Sequence, residues 1–427
     1  MQRKRKIAVW LGMLLAAMSI RCVGAVYWQQ RVGENPPLMM GDSVTYWELG
    51  SAIATGRPYS YGAPPRRVMR APGYPLFLAA VFRLFGQSTT ILMARFAGAL
   101  LGTITVAGII WLAWWLFGES AGWTAGVLAA LYPGGIMTSV LILSEVFFCP
   151  LMLAQIALTL LALRAPSLRR AGWLAIGSGV CGGMAVLTRP SWLIFTPVAW
   201  LVSCLVCREI THRWFSAAIA LLGLVLVLTP WCLRNFSVTG HYVTTTLQTG
   251  ASLYDGLNPR ATGASDMYFT DQSVDAVWQR MHAIGTEQDW EFAWDQEMKT
   301  AARRWAAENP GQAVRLAAIK FARIWNPLPN EPTLRGGWLG YGCAAVYLAI
   351  IIPAAWALIC RRFAPELWIW LVLPTAYFTA LHMIFVGSIR YRQPPMLLLI
   401  VIAATAYLGW LRPKQWMAAS PRHGHGN

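Results

Sequence analysis

Apolar residues recur along the chain in blocks of about twenty, divided by short polar turns and by two long polar stretches. A helix needs about 20 apolar residues to cross a ~30 Å hydrocarbon layer, where backbone polar groups must be satisfied within the segment itself. The blocks predict about ten spans, near residues 7–28, 89–117, 121–139, 144–163, 171–187, 190–206, 214–231, 337–359, 366–386 and 394–411. Strands are a poor way across at this block length. The fold class expected is an all-α integral membrane protein with two large loops on one side.

Those loops are residues 29–88 and 232–336, both rich in polar residues, Gly and Pro. Within the first, Tyr74 to Gly86 is apolar but too short to span and carries Arg83, which predicts an interfacial helix. Within the second, Trp290, Phe292, Ala293, Met298, Ala301 and Trp305 have near-helical spacing, so residues 287–309 should form an amphipathic helix. Asn309, Pro310 and Gly311 break it, and a second helix then leads back to the membrane.

Charge adds a direction. "RKRK" at the start, Arg164, Arg169, Arg170, Arg208, Arg213, Arg361, Arg362, Arg412 and Lys414 all fall on one side of the expected spans. That side should be cytoplasmic, with both termini on it and the long loops outside the cell. The expected organisation is a cytoplasmic start and first span over 1–28, an outer loop over 29–88, and six spans over 89–231. A mainly helical outer loop follows over 232–336, then three spans over 337–411 and a disordered cytoplasmic tail over 412–427.

Composition agrees with a lipid solvent: of 427 residues 56% are hydrophobic and 12% charged, against roughly 25% charged in an average soluble domain. Lys and Arg total 35 against 18 Asp and Glu, a net +17. Without a compact basic stripe interleaved with aromatics, that excess reads as span-end and lipid-phosphate contacts rather than nucleic-acid binding. The eight cysteines lie mostly in or beside apolar runs and read as small core residues, the Cys204–Cys207 C-x-x-C pair included. The basic and apolar start resembles a signal peptide, but its length and the spans that follow favour a first anchor.

Polar residues at the outer ends of spans are the candidates for chemistry. Asp42, in "GDSVTYWELG", is either a helix cap or a catalytic acid. Glu145, in "LILSEVFF", is either a helix-dipole charge or a functional acid set among apolar residues. Arg189, Arg234, Arg390 and Arg392 sit at the same depth; each alone reads as a headgroup anchor, whereas four together suggest a bound phosphate. The histidines show no H-E-x-x-H spacing, and the chain has neither a P-loop nor a G-x-S-x-G elbow.

Read in order, "GDSVTYW", "RAPGYPLFLA", "ILSEVFF", "LTRPS", "TPWCLRN", "GASLYDGLNPRATG", "AARRWAAENPGQAVRLAAIKFARIWNP" and "SIRYRQPP" resemble polytopic glycosyltransferases of the GT-C fold. The bacterial group similar to protein O-mannosyltransferases and the lipid A aminoarabinose transferase fits best. The resemblance implies a bacterial plasma-membrane enzyme that takes a sugar from a polyprenyl-phosphate carrier and passes it, with inversion, to an extracytoplasmic acceptor hydroxyl.

Asp42 matches the family's first-loop Asp and would be the general base, with Glu145 a supporting acid. Arg189, Arg390, Arg392 and Arg234 would hold the donor phosphate, and Tyr46, Tyr74, Asn258 and Tyr391 would line the substrate site. No cofactor is implied with certainty; Ser43 follows Asp42 where some relatives carry a second acid, which leaves a divalent metal open. The implied partners are the lipid-linked sugar, the acceptor and membrane lipids. A transporter or flippase for lipid-linked sugars, or a glycan ligase or polymerase, is the alternative. Charge gathered at one end rather than at the midplane of related halves favours the enzyme.

Overall fold

A computed structural model describes residues 2–32, 41–330 and 335–411. The expected tail over 412–427 lies outside the described residues, as does part of the first loop, 33–40. The described residues are helical apart from turns and one isolated bridge between Tyr61 and Arg66. In chain order the helices are α1 (Gln2–Val32), α2 (Gly41–Ala54), α3 (Gly73–Phe85), α4 (Ile91–Phe117), α5 (Glu119–Leu131), α6 (Pro133–Val140), α7 (Glu145–Leu163) and α8 (Leu168–Thr188). They continue with α9 (Phe195–Val206), α10 (Arg213–Thr239), α11 (Thr249–Gly256), α12 (Thr270–Ala283), α13 (Trp290–Glu308) and α14 (Pro310–Ile324). The last three are α15 (Gly337–Cys360), α16 (Pro365–Ile384, with a π turn at Trp368–Val372) and α17 (Gln393–Leu411).

Among the described residues seven helices are long and apolar enough to cross a membrane: α1, α4, α7, α8, α10, α15 and α16. The other three expected spans take different forms. Residues 190–206 are a short 3-10 turn followed by the twelve-residue α9. Residues 394–411 form α17, whose apolar stretch is Gln393–Gly409. Residues 121–139 break at Tyr132–Pro133 into α5 and α6, because Pro133 cannot donate the bond that would continue α5.

That break frees the Ala129 carbonyl inside the bundle, and two buried arginines meet this carbonyl and the one that ends α6. Arg21 of α1, 2% exposed, donates to Ala129 O near the end of α5 at 3.3 Å and to Ser139 Oγ of α6 at 3.2 Å. Arg95 of α4 donates to Val140 O, the last carbonyl of α6, at 2.7 Å. A cation at a helix C-terminus also opposes the negative end of the dipole.

Helix α17 runs through the middle, with Met396 to Ala406 almost wholly buried, and packs against α15, α5, α4 and α7. Its apolar character all round thus reflects protein neighbours rather than lipid. Outer faces carry Leu15, Val23, Leu226 and Ile359, all more than half exposed, as lipid contact requires. α8 and α10 approach backbone to backbone: a Cβ on Gly179 would lie 1.9 Å from Ala220 O. Small residues permit this spacing where lipid supplies no hydrophobic drive.

The two polar loops fold onto one another. Met69 of the first joins Ala251, Phe269, Val274, Trp290 and Trp294 of the second in one apolar cluster, and Val68 packs with Val243 and Leu247. The helices expected near 74–86 and 287–309 are present as α3 and α13, and the helix after the Asn309–Gly311 break as α14.

Candidate active site

Five segments meet at the end of the bundle beside these loops. Asp42 lies in the first turn of α2, Arg70 just before α3, Glu145 at the start of α7, and Arg189 directly after α8. Arg390 comes from the short connection between α16 and α17. The Asp42 oxygens are divided between two guanidiniums: Oδ1 accepts from Arg70 Nη2 at 2.7 Å and Oδ2 from Arg390 Nη1 at 2.8 Å. Glu145, 1% exposed, forms an ion pair with Arg189 Nη1 at 2.8 Å and accepts hydrogen bonds from both Nε and Nη2 of Arg390. Arg390 thus bridges the two acids.

Three guanidiniums against two carboxylates leave one positive charge in excess. The exposure is graded, with the Asp42 side chain 29% accessible and Arg390 25%, against 1% for Glu145. Glu145 lies beneath and fixes Arg189 and Arg390, while Asp42 faces outward. Burial would raise the Asp42 carboxyl, but Arg70 and Arg390 outweigh it and hold it well below the usual carboxylate range. Burial would lower Arg390 and Arg70, and the acids beside them raise both above the ordinary guanidinium value.

Aromatic side chains wall the cluster. Tyr46 and Tyr74 meet edge to face at 5.1 Å between centroids, and the Arg70 guanidinium lies 5.6 Å from the Tyr46 ring centre. Tyr391 stacks on His382 at 3.9 Å and lies 5.9 Å from the Arg189 guanidinium. Of the residues singled out from the sequence, Asp42, Glu145, Arg189, Arg390, Tyr46, Tyr74 and Tyr391 are therefore together.

Three others are engaged elsewhere. Arg234 donates to Arg67 O at 2.7 Å and to Tyr59 O at 3.3 Å, tying α10 to the first loop. Arg392 donates to Ile324 O and Asn326 O and covers the Tyr347 ring at 4.0 Å, which anchors the end of α14. Asn258 closes the turn after α11, donating to Tyr254 O at 2.7 Å and accepting from Arg260 N. Arg70 was not singled out, although it opens the "RAPGYPLFLA" stretch; Arg66 and Arg67 beside it make it look like an ordinary loop cation. Among the described residues no three His, Cys, Asp or Glu side chains converge as metal ligands, and both site acids are already held by guanidiniums.

Residues 69–232 match the family described as dolichyl-phosphate-mannose-protein mannosyltransferase. That stretch carries Arg70, Glu145 and Arg189, with Asp42 and Arg390 on either side of it. No curated protein matches the sequence. Among solved structures, the chain is similar to the archaeal oligosaccharyltransferase AglB from Archaeoglobus fulgidus, in complex with an inhibitory peptide and a dolichol-phosphate. The identity is 14% and the TM-score 0.56, over 100% of this chain and 53% of that one. The apo form of the Archaeoglobus fulgidus enzyme gives 13% and 0.58, over 97% and 52%. ArnT from Cupriavidus metallidurans, bound to undecaprenyl phosphate, gives 14% and 0.47, over 99% and 81%. The chain spans about half the length of the oligosaccharyltransferase. Its architecture is that of the GT-C-like polytopic membrane glycosyltransferases.

Proposed function

We propose that the chain transfers a sugar from a polyprenyl-phosphate carrier to an acceptor hydroxyl outside the cell, with inversion at the anomeric carbon. The observation that carries this reading is an outward-facing carboxylate, Asp42, set between two guanidiniums at the membrane end of a GT-C-like bundle. A sugar phosphodiester bears one negative charge, which the excess positive charge of the cluster matches. Arg390 and Arg189 hold the phosphate, Arg70 guards its outer side, and Glu145 keeps the first two in place.

In the proposed step Asp42 takes the proton of the acceptor hydroxyl as its oxygen bonds to the anomeric carbon. The bond from that carbon to the phosphate oxygen breaks, and the lipid phosphate leaves with the electron pair, its growing charge met by the arginines. A doubly paired Asp is a weak base. A donor phosphate that draws Arg390 and Arg70 toward itself loosens their hold on Asp42 and restores basicity when the substrate is in place. The basic span ends mark the cytoplasmic side in this reading, with the first and second loops covering the site from outside.

The test is purified protein with labelled polyprenyl-phosphate sugars and a membrane extract as acceptor. Release of polyprenyl phosphate that disappears in Asp42→Asn is the expected result. Full release by Asp42→Asn would overturn the assignment of the base, and movement of intact lipid-linked sugar across vesicles without bond cleavage would replace the enzyme by a transporter.

A further inference from the structure

Lys320 of α14 is 0% exposed and takes no part in the cluster around Asp42. Its Nζ donates to two main-chain carbonyls that lie 64 residues away on either side: Gly256 O at 2.9 Å and Ile384 O at 2.7 Å. Ile384 is the last residue of α16, and its carbonyl has no onward helical partner to receive. The ammonium therefore joins the end of α11, α14 and the end of α16, where the connection that carries Arg390 begins.

The backbone around this point is packed without slack. A Cβ on Gly387 would lie 2.6 Å from Lys320 Cα and O, and one on Gly256 would lie 1.9 Å from Phe385 O. Gly387 N donates to Gly263 O at 2.8 Å, and Arg323, one turn after Lys320, donates to Gly387 O at 3.1 Å. Both main-chain groups of Gly387 are thus bound to the second loop, three residues before Arg390. Burial pushes Lys320 down to about 8, with Asp255 opposing that shift. A buried ammonium is costly, and here it satisfies two carbonyls that an apolar side chain would leave without a donor.

We infer that Lys320 is a positioning residue: by fixing residues 384–387 against the second loop it sets where the Arg390 guanidinium stands between Asp42 and Glu145. The kinetic consequence rests on the transferase reading above; the mechanical one does not. The two are separated by reading hydrogen exchange and donor kinetics on the same full-length variants.

Lys320→Met should raise amide exchange of Gly387 and Tyr391 roughly tenfold. It should also raise KM for the polyprenyl-phosphate sugar more than it lowers kcat, with Lys320→Arg recovering most of both. Gly387→Ala, which forces the same two backbones apart while Lys320 remains, should reproduce the effect if Lys320→Met fails to fold. Unchanged exchange in both Lys320→Met and Gly387→Ala would overturn the inference. So would faster exchange with unaltered donor KM and kcat, since Lys320 would then be structural only. If wild-type protein cleaves no lipid-linked sugar while the exchange result holds, the transferase reading fails and the mechanical role of Lys320 stands.

Discussion

Two sets of arginines are held at low exposure in this chain, and they are balanced by different partners. Arg21 and Arg95, among the spans, donate to the carbonyls at the ends of the broken helix pair α5 and α6. Arg70, Arg189 and Arg390, at the end of the bundle, are paired with the carboxylates of Asp42 and Glu145. A carbonyl end is a fixed partial charge that cannot leave or titrate, so an arginine set against it completes the fold. A carboxylate under two guanidiniums is a full charge that another anion can replace. The first set should matter for stability and the second for chemistry.

The sharpest way to break this comparison is Asp42→Asn. It keeps the size of the side chain and one of its two acceptor oxygens while removing the charge and the proposed base, and loss of a general base costs about 10²- to 10⁴-fold in rate. Initial rates of lipid-phosphate release should fall by that factor, with the melting temperature in detergent close to wild type. A variant that lost stability but kept its rate per folded molecule would place the outer cluster in the same class as Arg21.

Glu145→Gln should do both kinds of damage. Removing one partner of a buried ion pair costs about 3–5 kcal/mol because the remaining charge is stranded, and here Arg189 and Arg390 both lose their deeper carboxylate. Thermal denaturation should show the loss. The surviving folded fraction should bind donor weakly, since Arg390 then has only Asp42 to orient it.

The contrast also explains what could be read before the structure. Hydropathy reports depth, so Asp42, Glu145, Arg189 and Arg390 stood out as charges at span ends, and four of the site's five ionic groups were legible. Depth says nothing of direction around a helix. Arg234 and Arg392 share that depth yet face main-chain carbonyls, and Asn258 closes its own turn. Arg70 was hidden for the opposite reason, because an arginine in a polar loop costs nothing in hydropathy. The block at 121–139 reads as one span because length outweighs the Tyr-Pro-Gly-Gly signal inside it, and the role of Arg21, which donates to the carbonyl freed at the break, is intelligible only with it. Lys320 had no sequence signal beyond its helix, since its partners are carbonyls far along the chain.

Arg21→Met tests the other half of the comparison at a smaller scale. It leaves the buried Ala129 carbonyl without its side-chain donor, a loss on the order of 1–3 kcal/mol. The variant should melt earlier, while its rate of lipid-phosphate release per folded molecule stays at the wild-type value. A drop in that rate at unchanged stability would mean that the span arginines communicate with the site.

The smallest effect should be that of pH on Lys320, and its sign is fixed. Burial brings the native ammonium down to about 8 from an ordinary value of 10.5, so the folded state sheds its proton first as pH rises. Between about 8 and 10.5 the unfolded chain binds more protons than the native one, and stability therefore increases with pH across that window. Neutral Lys320 still has two N–H groups for the Gly256 and Ile384 carbonyls, so the clamp is kept while the cost of the buried charge fades. Burial likewise raises the carboxyl of its neighbour Asp255 above the ordinary carboxylate value. Wild-type protein should gain on the order of a few degrees in melting temperature relative to Lys320→Met between pH 8 and pH 10. A parallel pH dependence in the two proteins would show that Lys320 keeps its charge in the folded state across that window.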